Sequence, residues 1–124
     1  MDPLTGAQVR ELMPCDSFEW QRIVRRIKMQ TTTKLVALVM STYANADGSH
    51  IVVGVVRLMA VTDTSKATVI RHLEFLREMG LIKRVKQGNR HTGDSDEYRL
   101  TVPSDVLDLP MLGPDEGGKS GSHP

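Results

Sequence analysis

A chain of 124 residues, 40% hydrophobic and with a formal net charge of +1, suits one domain with a modest core. It has neither an apolar run long enough to cross a membrane nor a basic-then-apolar leader, so a cytoplasmic location, at the nucleoid, is expected. Its one cysteine, Cys15, excludes an internal disulfide framework and a thiolate zinc cluster.

The near-neutral total conceals a division. Between Arg22 and Arg90 thirteen Lys or Arg stand against four Asp or Glu, whereas from Asp94 onward two stand against seven. A basic body followed by an acidic tail is the electrostatic footprint expected of a phosphate binder.

In chain order, residues 1–15 read as a flexible arm with one helical turn around Val9, Leu12 and Met13, stopped by Pro14. Asp16, with Glu19 three positions on, predicts a capped start to a short helix whose apolar stripe is Trp20, Ile23, Val24 and Ile27. Its other face carries Arg22, Arg25 and Arg26. The segment "TTTKLVALVMSTYANADG" predicts a core helix, capped by its threonines, burying Leu35, Leu38, Val39, Thr42 and Tyr43 and ending at Asp47 and Gly48. "SHIVVG" is a short β-branched run, and "VVRLMA" predicts one or two helical turns burying Val55, Leu58 and Met59. After the turn "VTDT", Ser65 is placed to cap a helix with Val69, Leu73 and Leu76 on one face, and Gly80 stops it. Ala67, Arg71, Glu74 and Glu78 fall on the opposite side, with Lys66, Thr68 and Ile70 exposed near the first turn. Arg77 is assigned to the ordinary helix pairs made by the two glutamates. "LIKRVK" and "EYRLTV" read as two strands, the second with Tyr98, Leu100 and Val102 inward and Arg99 and Thr101 outward. "QGNRHTGDSD" is the turn-rich loop between them. From residue 108 the chain shifts to Pro, Gly and Ser, and disorder is expected through residue 124.

Helix, short strand, short helix, tight turn, capped helix, basic hairpin: this order predicts a mainly α, α+β fold with a small β-hairpin, a winged helix-turn-helix over 16–107 with an extra N-terminal helix. Such an arrangement sets the start of the second helix into the major groove of double-stranded DNA and lays the hairpin, or wing, on the backbone or minor groove. The expected contacts are Ser65, Lys66, Ala67, Thr68, Ile70 and Arg71 from the helix and Lys83, Arg84, Lys86, Asn89, Arg90 and His91 from the wing. Arg71, with its planar fork, is the candidate for reading a guanine; Lys66 and Thr68 suit phosphates, which position without specifying.

The stretch "TDTSKATVIRHLEFLREMGLIKRVKQGNRHTGDSDEYRL" resembles the core of small actinobacterial winged-helix proteins, also found on their phages and plasmids, in which a Thr-Gly-X-Ser turn leads into a basic recognition helix. "FEWQRIVRRIKMQTTTKLVALVMSTYANADGS" resembles the same family's Trp-containing leader and first long helix, so the likeness runs from Phe18 to Leu107. Asp63 departs from the turn glycine, Ala67 from a frequent arginine and Lys66 from a frequent acid, which implies a different base preference. The resemblance implies a sequence-specific transcriptional regulator.

Two alternatives stand beside it: a phage- or plasmid-derived factor that acts on a host protein through Arg22, Arg25, Arg26, Ile70 or Phe75, and a replication-associated accessory factor. No P-loop, carboxylate pair or metal-ligand spacing supports an enzyme, a metal site or a cofactor, and the scattered aromatics form no single-strand stacking platform. A homodimer would read two half-sites, through the Trp20 helix or the first long helix with Phe75 or Met79.

Overall fold

The computed structural model describes residues 11–89, 91–113 and 116. Four helices, α1 (Ser17–Arg26), α2 (Thr31–Ser41), α3 (Val55–Thr62) and α4 (Lys66–Glu78), pack with three strands, β1 (Leu12–Pro14), β2 (Ile82–Lys86) and β3 (Glu97–Pro103). The strands form an antiparallel sheet in the order β1-β3-β2. The architecture is a winged helix-turn-helix of the α+β class.

Local chemistry accounts for the helix boundaries. The Glu19 amide donates to the Asp16 carboxylate at 2.8 Å, which satisfies one of the unpaired amides opening α1. Trp20 and Val24 on that helix, and Ile27 at its C-cap, are fully buried. The Trp20 indole N–H donates to both the Leu81 carbonyl, 2.9 Å, and the Thr101 carbonyl, 3.0 Å. One ring thereby ties α1 to the junction after α4 and to the middle of β3.

Helix α2 forms where expected, but its buried positions fall two residues before the predicted ones, which turns the most buried face nearly to the opposite side. Thr33, Val36, Ala37, Met40 and Ser41 face the core, while Leu35 is 42% exposed. The run "LVALVM" is apolar all round, so its sequence does not fix the phase; the contacts with α1, α3 and α4 do. Nor do threonines cap it: Gln30 holds the cap position without a side-chain bond.

Two further expectations are corrected at the ends. Leu12–Pro14 is a strand rather than a helical turn, paired with Thr101–Pro103. Order continues past residue 107: Leu109 and Met111 pack against the core, Lys28 N donates to Pro110 O at 2.8 Å and Leu112 N to Arg26 O at 2.7 Å. Leu109 and Met111, on either side of Pro110, fasten the segment to the end of α1 together with these backbone bonds. Thr101, expected to face out, is 2% exposed, because its hydroxyl donates to the Gly80 carbonyl and Trp20 closes over its backbone. Tyr98, Leu100 and Val102 do face the core. Residues 1–10, 114, 115 and 117–124 lie outside the described residues, and with them most of the arm expected over 1–15 and of the Pro/Gly/Ser-rich tail expected over 108–124. No helix among the described residues is long and apolar enough to cross a membrane.

Candidate nucleic-acid interface

The turn between α3 and α4 brings the two helices together at close quarters. Asp63 takes a left-handed conformation, φ 56°, which an aspartate tolerates better than most side chains. The Thr64 amide donates to the Met59 carbonyl at 3.2 Å, and the Thr62 and Thr64 hydroxyls are 2.8 Å apart. Ser65 then caps α4, its oxygen accepting from the Thr68 amide at 3.2 Å while its hydroxyl bonds that of Thr68 at 2.9 Å. The cap engages Ser65 and Thr68 with each other and leaves Lys66, Ala67, Ile70 and Arg71 exposed on the first two turns.

Behind them α4 is anchored by Val69, His72, Leu73 and Leu76, all buried. His72 is 1% exposed and shares a 2.7 Å hydrogen bond between its Nδ1 and the Thr33 hydroxyl of α2. Burial, and next the neighbouring Arg71, hold its pKa below the usual histidine value. The imidazole therefore acts as a neutral polar rivet beneath the exposed face.

The base of the wing is stitched by the carboxylate of Asp96. Asp96 Oδ1 accepts from the Gly88 amide at 2.6 Å, and Asp96 Oδ2 lies 3.4 Å from the Arg84 guanidinium and 3.5 Å from the Tyr98 hydroxyl. Burial, with help from Asp96, raises the Tyr98 pKa, so the phenol stays protonated. Gly88 has no room for a side chain, since a Cβ there would run into the Asp94 carbonyl oxygen. At the tip, Asn89 and Asp94 exchange backbone bonds of 3.1 and 3.0 Å, the Asn89 side-chain oxygen accepts from the His91 amide at 2.8 Å, and Asp94 accepts from the Thr92 hydroxyl at 2.8 Å.

Between wing and helices runs an open groove of about 1020 Å3. Arg57 of α3, Lys66 of α4 and Arg84, Gln87, Gly88 and Asn89 of the wing line it, and both acids on its wall, Asp94 and Asp96, are engaged within the wing. Gly54, at φ 77°, opens α3 at its floor with a hypothetical Cβ 2.7 Å from the Ser95 hydroxyl. A smaller cavity of about 190 Å3, floored by Val53, Leu58, Leu73 and Tyr98, lies beside it.

Of the residues expected from sequence, Lys66, Arg84 and Asn89 meet in this groove. Lys83 instead borders a second depression with Leu12, Glu74, Arg77 and Glu78, so it belongs to the far flank of α4. Lys86 and His91 are exposed on the wing, and Arg90 lies outside the described residues. Sequence reading missed Arg57, Gln87 and Asp96. An arginine on an otherwise apolar short helix was a signal for the first; nothing local marked Asp96 as the wing's fastener. Among the described residues no group of three or more His, Cys, Asp or Glu is placed to hold a metal.

Residues 55–84, which are α3, the turn, α4 and the first half of β2, match the family model described as bacterial regulatory protein, arsR family. No curated protein and no solved structure matches the chain.

Proposed function

We propose that this protein is a double-stranded DNA-binding transcriptional regulator that sets the start of α4 in the major groove and the wing along the adjacent backbone or minor groove. The observation that carries this reading is the groove in which cations from three separate elements, Arg57, Lys66 and Arg84, converge beside an exposed, capped helix start. The regulator match over the same helices supports it.

In this reading Arg71, exposed on the second turn, pairs with the two acceptors of a guanine, and Ile70 and Ala67 lie against base edges or a thymine methyl. Lys66, Arg57, Lys86 and Arg90 neutralise phosphates, and the amides of Ser65 and the first turn add the positive end of the helix dipole. Arg84 is held back by Asp96 and acts mainly in shaping the wing. Asn89 turns the tip and His91 faces outward from it.

Selection from a random duplex library, followed by binding of the winner and a scrambled control at several salt concentrations, tests the proposal. An enriched motif with an affinity gap is the expected result, and two inverted half-sites would establish a dimer. Absence of salt-sensitive binding to any duplex would overturn it and favour a protein partner retained through nuclease treatment.

A further inference from the structure

Helix α1 carries charge that the groove does not use. Phe18, Arg22 and Arg25 recur at i, i+4 and i+7 on its exposed side, with Lys28 just beyond its end. The Arg22 guanidinium stands 5.5 Å from the centre of the Phe18 ring, which is 68% exposed, so the cation rests on an aromatic platform. Lys34 reaches over from α2 to donate to the Arg25 carbonyl at 3.1 Å and adds its charge to the same end. Arg26 is tied by its Nε to the Leu112 carbonyl at 3.1 Å. Cations in a last helical turn complement the helix dipole, which accounts for Arg25 and Arg26. Lys34 serves the same helix end through its bond to the Arg25 carbonyl, but the dipole does not account for Arg22 or for Lys28 beyond the last turn.

The stripe stands apart from the groove. Helix α1 packs on α2 and β3, and Trp20 reaches the junction after the C-terminal end of α4. The reading end of α4 is thirteen residues away, about 20 Å along the helix axis.

We propose that the α1 stripe is a second phosphate-binding surface that holds a second DNA duplex, so that one chain bridges two duplex segments. This rests on the reading of the groove as a duplex site. A protein interface would be expected to have an apolar centre, whereas Phe18 is the one large apolar side chain on this stripe and is already covered in part by Arg22. A row of cations facing a polymer with a charge every ~1.7 Å of axis is the complementary match.

The test uses the full chain, one duplex fixed to beads and a second, fluorescent duplex free in solution. Wild type should carry the label onto the beads, and Arg22→Ala/Arg25→Ala/Lys28→Ala should lower that capture about tenfold or more while leaving single-duplex affinity within about twofold. Arg22→Lys/Arg25→Lys, which keeps the charge, should bridge nearly as well as wild type. Equal capture by the alanine variant would overturn the inference, since bridging would then come from two grooves of a dimer. Single-duplex binding without any capture would overturn it alone, and a nuclease-resistant protein lost from the alanine variant would replace the duplex with a protein. Failure to bind any single duplex would instead overturn the reading of the groove on which it rests.

Discussion

Helix α4 and the wing face the same groove, but they are held by different forces. The helix is seated by apolar burial, with Val69, Leu73 and Leu76 in the core and His72 riveted to Thr33. Beyond Ile82 the wing has exposed side chains at Lys83, Val85 and Lys86, and Asp96 and Asn89 hold its shape through hydrogen bonds. The helix therefore cannot shift without disturbing the core, whereas the wing can be altered while the core stays intact. A fixed reading element beside an adjustable clamp separates base contacts from phosphate contacts, which have different geometric demands.

The largest expected effect lies on the helix side. Leu76→Ala leaves a void in the centre of the core and should cost about 2–5 kcal/mol in chemical denaturation, with duplex binding lost in proportion to unfolding. A cost under about 1 kcal/mol would mean that α4 is not seated by burial.

Next comes the polar rivet. Thr33→Val removes the partner of a buried imidazole nitrogen and should cost about 1–3 kcal/mol at neutral pH. The histidine also confers a pH dependence. Its pKa lies below the ordinary 6.5 in the folded chain, so the unfolded chain binds the proton more readily. That contribution to stability is present above pH 6.5 and is lost as pH falls through it toward the folded value. Denaturation midpoints from pH 8 to pH 5 should fall more steeply for wild type than for His72→Gln, and parallel curves would remove the histidine from the account.

Ser65→Ala deletes the cap of α4 and should cost about 1 kcal/mol. If duplex affinity fell by far more than stability, Ser65 would have to contact DNA directly as well.

The smallest change in stability and the clearest change in binding are expected from Asp96→Asn. The amide oxygen can still accept from Gly88, but the charge that restrains Arg84 is gone. Duplex binding should tighten and the logarithmic salt slope should steepen by about 0.9, one phosphate contact. Asp96→Ala, which unfastens Gly88 as well, should weaken binding with little change in the melting temperature. Equal effects from the two substitutions would mean that the latch and the charge mask are not separate roles.

The same contrast explains what was legible in the sequence. The caps at Asp16 and Ser65, the stop at Gly80 and the apolar stripe of α4 are local signals, set within four residues or so, and the structure has them where the pattern puts them. The phase of α2 was not legible, because six consecutive apolar residues present no polar face to orient it. Leu12–Pro14 and the segment through Leu112 were missed because their partners, Thr101–Pro103 and Arg26 to Lys28, are remote in sequence. The groove was half legible. Lys66, Arg84 and Asn89 could be read from the helix-and-wing order, but Arg57 joins them only through the packing of α3 against α4, and Asp96 only through the folded-back hairpin.

The central claim is that the groove shared by α3, α4 and the wing binds duplex phosphates. The most direct measurement is duplex affinity across a salt series for wild type and for Arg57→Glu/Lys66→Glu, with melting temperature as the control for folding. The account predicts an unchanged melting temperature, a large loss of affinity and a salt slope shallower by about two. An unchanged affinity and slope in a folded variant would contradict it.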